Sequence, residues 1–375
     1  MPALDVFLQQ KLQLLQARHA RRSPPVAEPQ EGAAILKEGK KLISFASNDY
    51  LGLSRHPQVM KAAADAALHY GAGAGASRLV SGNHPLYSQL EQRLAAHKQT
   101  EAACVFGSGY LANIGVIPAL MGSGDLILMD KLAHACMLDG ARLSGANLMR
   151  FAHNNLDHLH MLLEANRTQH HHCLIATESI FSMDGDRAPL HEIVALAGRY
   201  DAWLLIDSAH DLYQPAVIRH PSSVIQLGTV SKALGAYGGY VAGSRVLIDY
   251  LKTTARSLIF STALPPAVIA GALAALDVLA AEPERADTPL AHARRFAASL
   301  GLDEPAGGIV PLVLGENERA LAAATYLEQC GFWVPAIRPP TVPAGTARLR
   351  FAFSAQHQAQ QVDTLLDALH TGGWV

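Results

Sequence analysis

The chain reads as an α/β protein built on a mostly parallel central sheet, with a smaller α+β domain toward the C-terminal end. Three observations point there. Short continuous apolar runs alternate with helical patterns through the middle of the chain, as strands do when helices cover both faces of a parallel sheet. Glycine (30) and proline (20) are plentiful while aromatics supply only 6%, so the core is expected to be Ala, Leu, Val and Ile cut by many turns. At 375 residues the chain exceeds a single core, since a domain takes roughly 100–200 residues.

Taken in order, residues 4–19 carry an amphipathic helical pattern, and a polar, proline-containing arm follows at 23–32. LISFASNDYLGL leads into the chain body, and HPQVMKAAADAALHY (56–70) has helical periodicity. The runs AACVF (102–106), DLILMD (125–130), NLMRF (147–151), CLIATES (173–179) and WLLID (203–207) read as strands. Between them LANIGVIPALM, HACMLDGARLS, LDHLHMLLEAN and LHEIVALAGRY read as helices. After Pro265-Pro266 the texture changes: an Ala-rich helix, a polar break at 282–287, then GGIVPLVLG, a helix, GFWVPA and ARLRFAFS. The expected division is an N-terminal helix and arm (1–45), a large domain (46–265) and a small α+β domain (266–375).

Thirty Lys+Arg against 32 Asp+Glu leave a net charge of −2, so no basic excess exists to bind nucleic acid. The N-terminal residues lack the pattern of a secretory signal, and the uncharged stretches 102–124 and 257–276 are interrupted by Pro118 and Pro265-Pro266. A cytoplasmic protein is expected. Cys104, Cys136, Cys173 and Cys330 form no CxxC pair and read as buried small apolar residues, not as a disulfide or metal framework. His170-His171-His172 reads as a solvated loop, and no metal site is expected.

Strand ends are where a parallel sheet gathers ligands. Asp207 closes WLLID, and a buried carboxylate there needs a cationic partner, though a helix cap or a structural ion pair would also account for it. Lys232 lies beside Thr229 and Ser231 ahead of a glycine-rich run, a setting that suits an imine-forming amine, although a strand-end lysine often has no such role. FGSGYLAN takes a strand through Gly107-Ser108-Gly109 into a helix, a phosphate cradle or simply a steric turn. His134 opens the next helix, as a cap or a ring-facing group. Gly71–Ala76 satisfies GxGxxA, but the segment before it is helical, so a nicotinamide site is rejected. A phosphate cup, a ring-nitrogen carboxylate, a ring-facing histidine and an amine together are what pyridoxal phosphate requires.

The ordered segments SNDYLGL (47–53), GASRLVSGN (75–83), SGYLAN (108–113), TESIFSMDGD (177–186), IDSAH (206–210), GTVSKALGAYGGYVAG (228–243) and IFSTALPP (259–266) resemble the α-oxoamine synthases. These are fold-type I pyridoxal-phosphate enzymes, aspartate aminotransferase-like in fold. The resemblance implies that Lys232 bonds the cofactor aldehyde and later moves the proton, and that Asp207 pairs with the pyridinium nitrogen. It implies that His134 stacks on the ring and that His210 and Ser182 approach its phenolic oxygen. Ser108, Gly109, Tyr110, Asn113 and Thr229 would complete the cofactor site, with Ser261 and Thr262 reaching over from a second subunit of a homodimer. Arg350, helped by Asn48, would take the amino-acid carboxylate, and Arg21 and Thr341 would contact the acyl substrate; Arg348 would be structural. RPPTVPAGTARLRFAFSAQH (338–357) is most similar to the biotin-pathway branch, which implies condensation of L-alanine with a pimeloyl thioester on coenzyme A or acyl carrier protein. The alternatives are glycine C-acetyltransferase, 5-aminolevulinate synthase or a longer-chain acyl relative, and, in a different class, a relative that binds pyridoxal phosphate without catalysis.

Two departures stand out. The stretch DLYQPAVIRHPSS (211–223) is shorter than the family's and reaches Lys232 early, so the entrance to the site is expected to differ. Tyr87 stands where many relatives carry a histidine.

Overall fold

The structure, a computed structural model, describes residues 3–17, 21–211 and 223–375. Most of the shortened stretch, residues 212–222, and the end of the first helical pattern, 18–20, lie outside the described residues. The chain divides into two compact units: residues 49–182 with 186–287, and residues 1–48 with 183–185 and 288–375.

The larger unit is organised by a seven-stranded sheet. Its order is Ala102–Phe106, Gly239–Gly243, Val224–Thr229, Trp203–Asp207, Cys173–Glu178, Leu126–Asp130, Asn147–Phe151. Only Gly239–Gly243 runs antiparallel to its neighbours. Alternate residues of one strand face opposite sides. Ile127, Met129, Leu174, Ala176 and Leu205 therefore join one core, with the helices Gly109–Leu120 and Ala135–Ser144. Leu126, Leu128, Cys173, Ile175, Leu204 and Ile206 join another, with Leu159, Leu163 and Ile193. Both faces are covered, which is why these strands read as continuous apolar runs. Truncating a side chain such as Ile127 to alanine would cost about 2–5 kcal/mol.

The Ala-rich helix Pro266–Ala281 packs in this unit against Pro57–Tyr70, and each begins with proline in its first turn. Because the GAGAGA run leaves the end of Pro57–Tyr70, it opens no strand–turn–helix unit.

The smaller unit holds two sheets. One orders Ala27–Pro29, Ala34–Lys37, Lys40–Ser44 and Phe332–Trp333; the other orders Ile309–Gly315, Ala347–Ala352 and Ala336–Ile337. The aromatic-poor reading needs a correction here. Phe45, Phe296, Phe332, Phe351 and Phe353 build this core, because few aromatics placed together fill a small unit efficiently. His357 joins them, stacked on Phe45 at 4.1 Å. Helix Ala3–Ala17 forms, with no residue buried.

Cys104, Cys136 and Cys173 are buried, whereas Cys330 is exposed. The expectation fails for Cys330 because it sits at the C-terminal cap of helix Asn317–Gln329, past Leu327, the last buried residue of that helix. Among the described residues no single helix is long and apolar enough to cross a membrane.

Candidate active site

The carboxyl ends of the parallel strands converge on a cavity of about 230 Å³. Its lining includes Gly109, His134, Asp207, His210, Thr229 and Lys232, drawn from sites spread over more than a hundred residues, together with Tyr110.

Asp207 ends its strand 5% exposed. Its Oδ2 accepts from Asn113 Nδ2 at 2.9 Å and its Oδ1 from the Ala209 N–H at 3.0 Å. Two neutral donors hold the carboxylate in place without cancelling its charge, which leaves an anion for a buried cation. Asn113, fully buried in the helix opened by Gly109, also donates to the Gly109 carbonyl, and its Oδ1 has no partner.

Lys232 sits on a loop tied by its own hydrogen bonds: Val230 N–H to the Gly238 carbonyl, Ala236 N–H to Val230, and Gly235 N–H to Lys232. Gly235 has φ +61°, and a Cβ there would come within 2.1 Å of the Ser54 nitrogen. Only glycine lets this loop close on the segment that carries Tyr50. Lys232 Nζ lies 2.7 Å from His210 Nε2, and His210 Nδ1 lies 2.7 Å from Tyr50 Oη. An ammonium can only donate, so Nε2 accepts and the Nδ1–H is left to donate to Tyr50.

His134 caps helix Ala135–Ser144, its Nδ1 accepting from the Cys136 N–H. Burial lowers its pKa, the Asp207 charge opposes that, and the Lys232 charge adds to it, so the neutral ring is favoured. Ser108 caps Gly109–Leu120 by accepting from the Leu111 N–H at 3.0 Å. The N–H groups of Gly109 and Tyr110 have no intrahelical acceptor by helix geometry, and they form the anion-seeking end of the helix. A Cβ at Gly239 would meet the Ser108 carbonyl carbon at 2.4 Å, so glycine there seats this turn against the sheet. Thr229 Oγ1 donates to the Gly238 carbonyl at 2.6 Å and accepts from the Ser231 N–H. Tyr110 is half exposed and donates to Asp139 at 2.6 Å, which raises its pKa. Ser182 is buried on the turn after strand Cys173–Glu178.

Ser261 and Thr262 are not part of this cavity's lining in their own chain. Ser261 borders a second cavity of about 460 Å³ with Leu111, Arg256 and Phe260. Their segment is anchored by a bridge between Ser77 and Thr262, by the Ala263 N–H on the Ala76 carbonyl, and by the Leu264 N–H on Tyr87 Oη at 2.6 Å. Tyr87 thereby fills its position with a hydroxyl acceptor.

In the smaller unit, Arg350 is 4% exposed and its Nη2 donates to Asn48 Oδ1 at 3.2 Å. Arg348 is committed elsewhere, to Asp184 at 2.6 Å and to the Met183 and Thr346 carbonyls. Thr341 is held by Arg22, at 2.9 Å, while Arg21 borders a groove along helix Ala3–Ala17.

Sequence reasoning missed Tyr50 and Glu178. Tyr50 lay inside the quoted SNDYLGL segment without a role. Glu178 ends a buried apolar strand just as Asp207 does, so the signal that singled out Asp207 applied to it equally.

The chain matches the aminotransferase class I and II family over residues 40–369. The 8-amino-7-oxononanoate synthase of Methylobacterium radiotolerans is 54% identical over 369 residues, 98% of each chain. That of Methylorubrum populi is 55% identical over 367 residues, 98% of this chain and 94% of the relative. Among solved structures, a serine palmitoyltransferase from S. paucimobilis with a bound PLP–myriocin adduct superposes with a TM-score of 0.91 at 27% identity, covering 100% of both chains. That likeness bears out the fold-type I transferase fold expected from the sequence.

Proposed function

The chain belongs to the aminotransferase class I and II family, and from that membership we propose that it condenses L-alanine with a pimeloyl thioester in biotin biosynthesis. The products are 8-amino-7-oxononanoate, carbon dioxide and the free thiol carrier, coenzyme A or acyl carrier protein. The protein is a pyridoxal-phosphate-dependent acyltransferase. The observation that carries the substrate reading is the 54–55% identity, over 98% of this chain, to relatives named for that product.

The cavity fits the cofactor on its own chemistry. It offers a buried carboxylate with neutral donors, a neutral imidazole, an amine and a helix end with free N–H groups. Bound there, pyridoxal phosphate supplies an electron sink for the charge released when a bond to the amino-acid α-carbon breaks. Asp207 holds the pyridine nitrogen protonated. His134 would pack against the ring, and His210 and Ser182 would hold its phenolic oxygen. Gly109, Tyr110 and Thr229, with Ser108 and Asn113 shaping their turn, hold the phosphate. Lys232 Nζ would be the amine that holds the aldehyde and the base that moves the α-proton, with His210 Nε2 2.7 Å away to steady it. Arg350 and Asn48 take the alanine carboxylate, and Arg21 and Thr341 the acyl chain.

The working unit is a homodimer in the cytoplasm, in which Ser261 and Thr262 of one copy complete the other's phosphate site. Their absence from their own chain's cavity lining supports that reading. The deciding experiment supplies pimeloyl-CoA with L-alanine, L-serine or glycine and measures carbon dioxide and thiol release. Turnover confined to L-alanine is expected. Turnover with glycine, or with L-serine and a long-chain acyl donor only, would replace the proposed substrates.

A further inference from the structure

Two buried carboxyl groups stand side by side under the cofactor cavity. Glu178 and Asp207 end adjacent parallel strands and are register partners. Such partners project to the same face of a sheet, and both line the cavity, 3% and 5% exposed. Asp207 takes a donor on each oxygen, as described. The Glu178 carboxyl is approached by the backbone N–H groups of His134 and Ser182, one on each of two turns that carry groups for the cofactor. Its Oε1 has no hydrogen-bond partner.

We propose that Glu178 is a positioning residue that works in its protonated form, tying the His134 and Ser182 turns together and leaving Asp207 the single anion of the cavity. This rests on the reading of the cavity as a pyridoxal-phosphate site. Two carboxylates this close and this dry do not both ionise unless each has its own cation. Among the described residues, the titratable side chains acting on Glu178 are Asp207 on the next strand and Lys232 on the loop after Val224–Thr229, with the Cys136 thiol and the His134 and His210 imidazoles lining the same cavity. Lys232 is the only cation among them. Its Nζ is engaged with His210, and its charge is no longer a fixed ammonium once it bonds the cofactor aldehyde. Burial first, and then the Asp207 charge, push the Glu178 carboxyl well above the usual carboxylate range, and burial pushes the Cys136 thiol up as well.

The test is an infrared difference spectrum, wild type minus Glu178→Gln, at neutral pH, on both cofactor-loaded and cofactor-free protein. A protonated-carboxyl carbonyl band present in wild type and lost in the variant is expected; a pair of carboxylate bands in its place would overturn the proposal. Removing an anion would also move the pH midpoint of the visible absorbance by about one unit or more, whereas Glu178→Gln is expected to leave it in place. Glu178→Ala is expected to weaken cofactor binding about tenfold and Glu178→Gln to restore it, so equal affinity in all three proteins refutes the positioning role. Should Glu178→Gln not accumulate folded, the infrared difference is taken with Glu178→Met, which has no carbonyl in its side chain. If the carboxyl band appears but L-alanine and pimeloyl-CoA give no turnover, the substrates fail and Glu178 stands.

Discussion

His153 links three segments of the larger unit, and its charge can be read from stability. Its Nδ1 lies 3.0 Å from Asp130 Oδ1 and its Nε2 2.8 Å from Asp186 Oδ2, with the Phe181 ring packed edge-on at 4.4 Å. Asp130 is fully buried and also accepts from the Leu132 and Asn154 N–H groups. Burial alone would lower the imidazole pKa, but the bonds to Asp130 and Asp186 outweigh it and hold the ring up to about 10. From an ordinary 6.5, that is about 5 kcal/mol of preference for the charged ring in the folded chain, at roughly 1.4 kcal/mol per pH unit. The ring is 24% exposed and the Asp186 side chain 42%, so solvent screening reduces this to about 2–3 kcal/mol. The sign follows from the raised value. Below about pH 6.5 both folded and unfolded histidine are protonated and the full contribution is present; it fades as pH climbs toward about 10, where the folded ring also loses its proton. Urea unfolding of the cofactor-loaded protein and of His153→Gln, from about pH 6 to pH 10, measures this, because other titrations cancel in the difference. The gap should be widest at the acid end and shrink by about 2–3 kcal/mol. A gap that stays constant with pH would show that the clamp carries no charge.

Lys232→Ala should fold and bind cofactor but lose the yellow imine absorbance, and an unchanged spectrum would reassign the amine. Asp207→Asn should fold normally while turnover falls by about a hundredfold or more, since a neutral amide cannot keep the ring nitrogen protonated; near-normal turnover would misplace the pyridinium pairing. His357, stacked on Phe45 and bonded to the Ser354 N–H and the Ser44 carbonyl, is held down to about 4 by burial. Wild type should therefore lose about 3 kcal/mol against His357→Gln as pH falls from about 6.5 to 4, because only the unfolded ring takes up a proton there. Denaturation midpoints for the two proteins that run parallel over that window would contradict it.

Much of the larger unit was legible because its physics is local. A strand covered on both faces must be apolar along its length, so AACVF, DLILMD, CLIATES and WLLID announced themselves, and the polar residue ending such a run marked where chemistry gathers. Asp207, Lys232 and His134 were found that way. Glu178 was passed over because it sat inside a recognised motif, where the strand-end rule was not applied. The concentration of phenylalanines in the smaller unit was hidden by a composition averaged over the whole chain.

The sequence by itself determined the class of fold, the positions of the strand ends and the family to which the chain belongs. Only the tertiary structure decided which groups face each other. Asn113 meets Asp207 across 94 positions, and Tyr50 meets His210 across 160. The physical reason is that spacing along a chain dictates periodicity and burial, whereas partners across a sheet follow from strand order and from loops closed on one another. No window of residues encodes that one carboxylate acquires two donors while its neighbour, one strand away, keeps an oxygen without any.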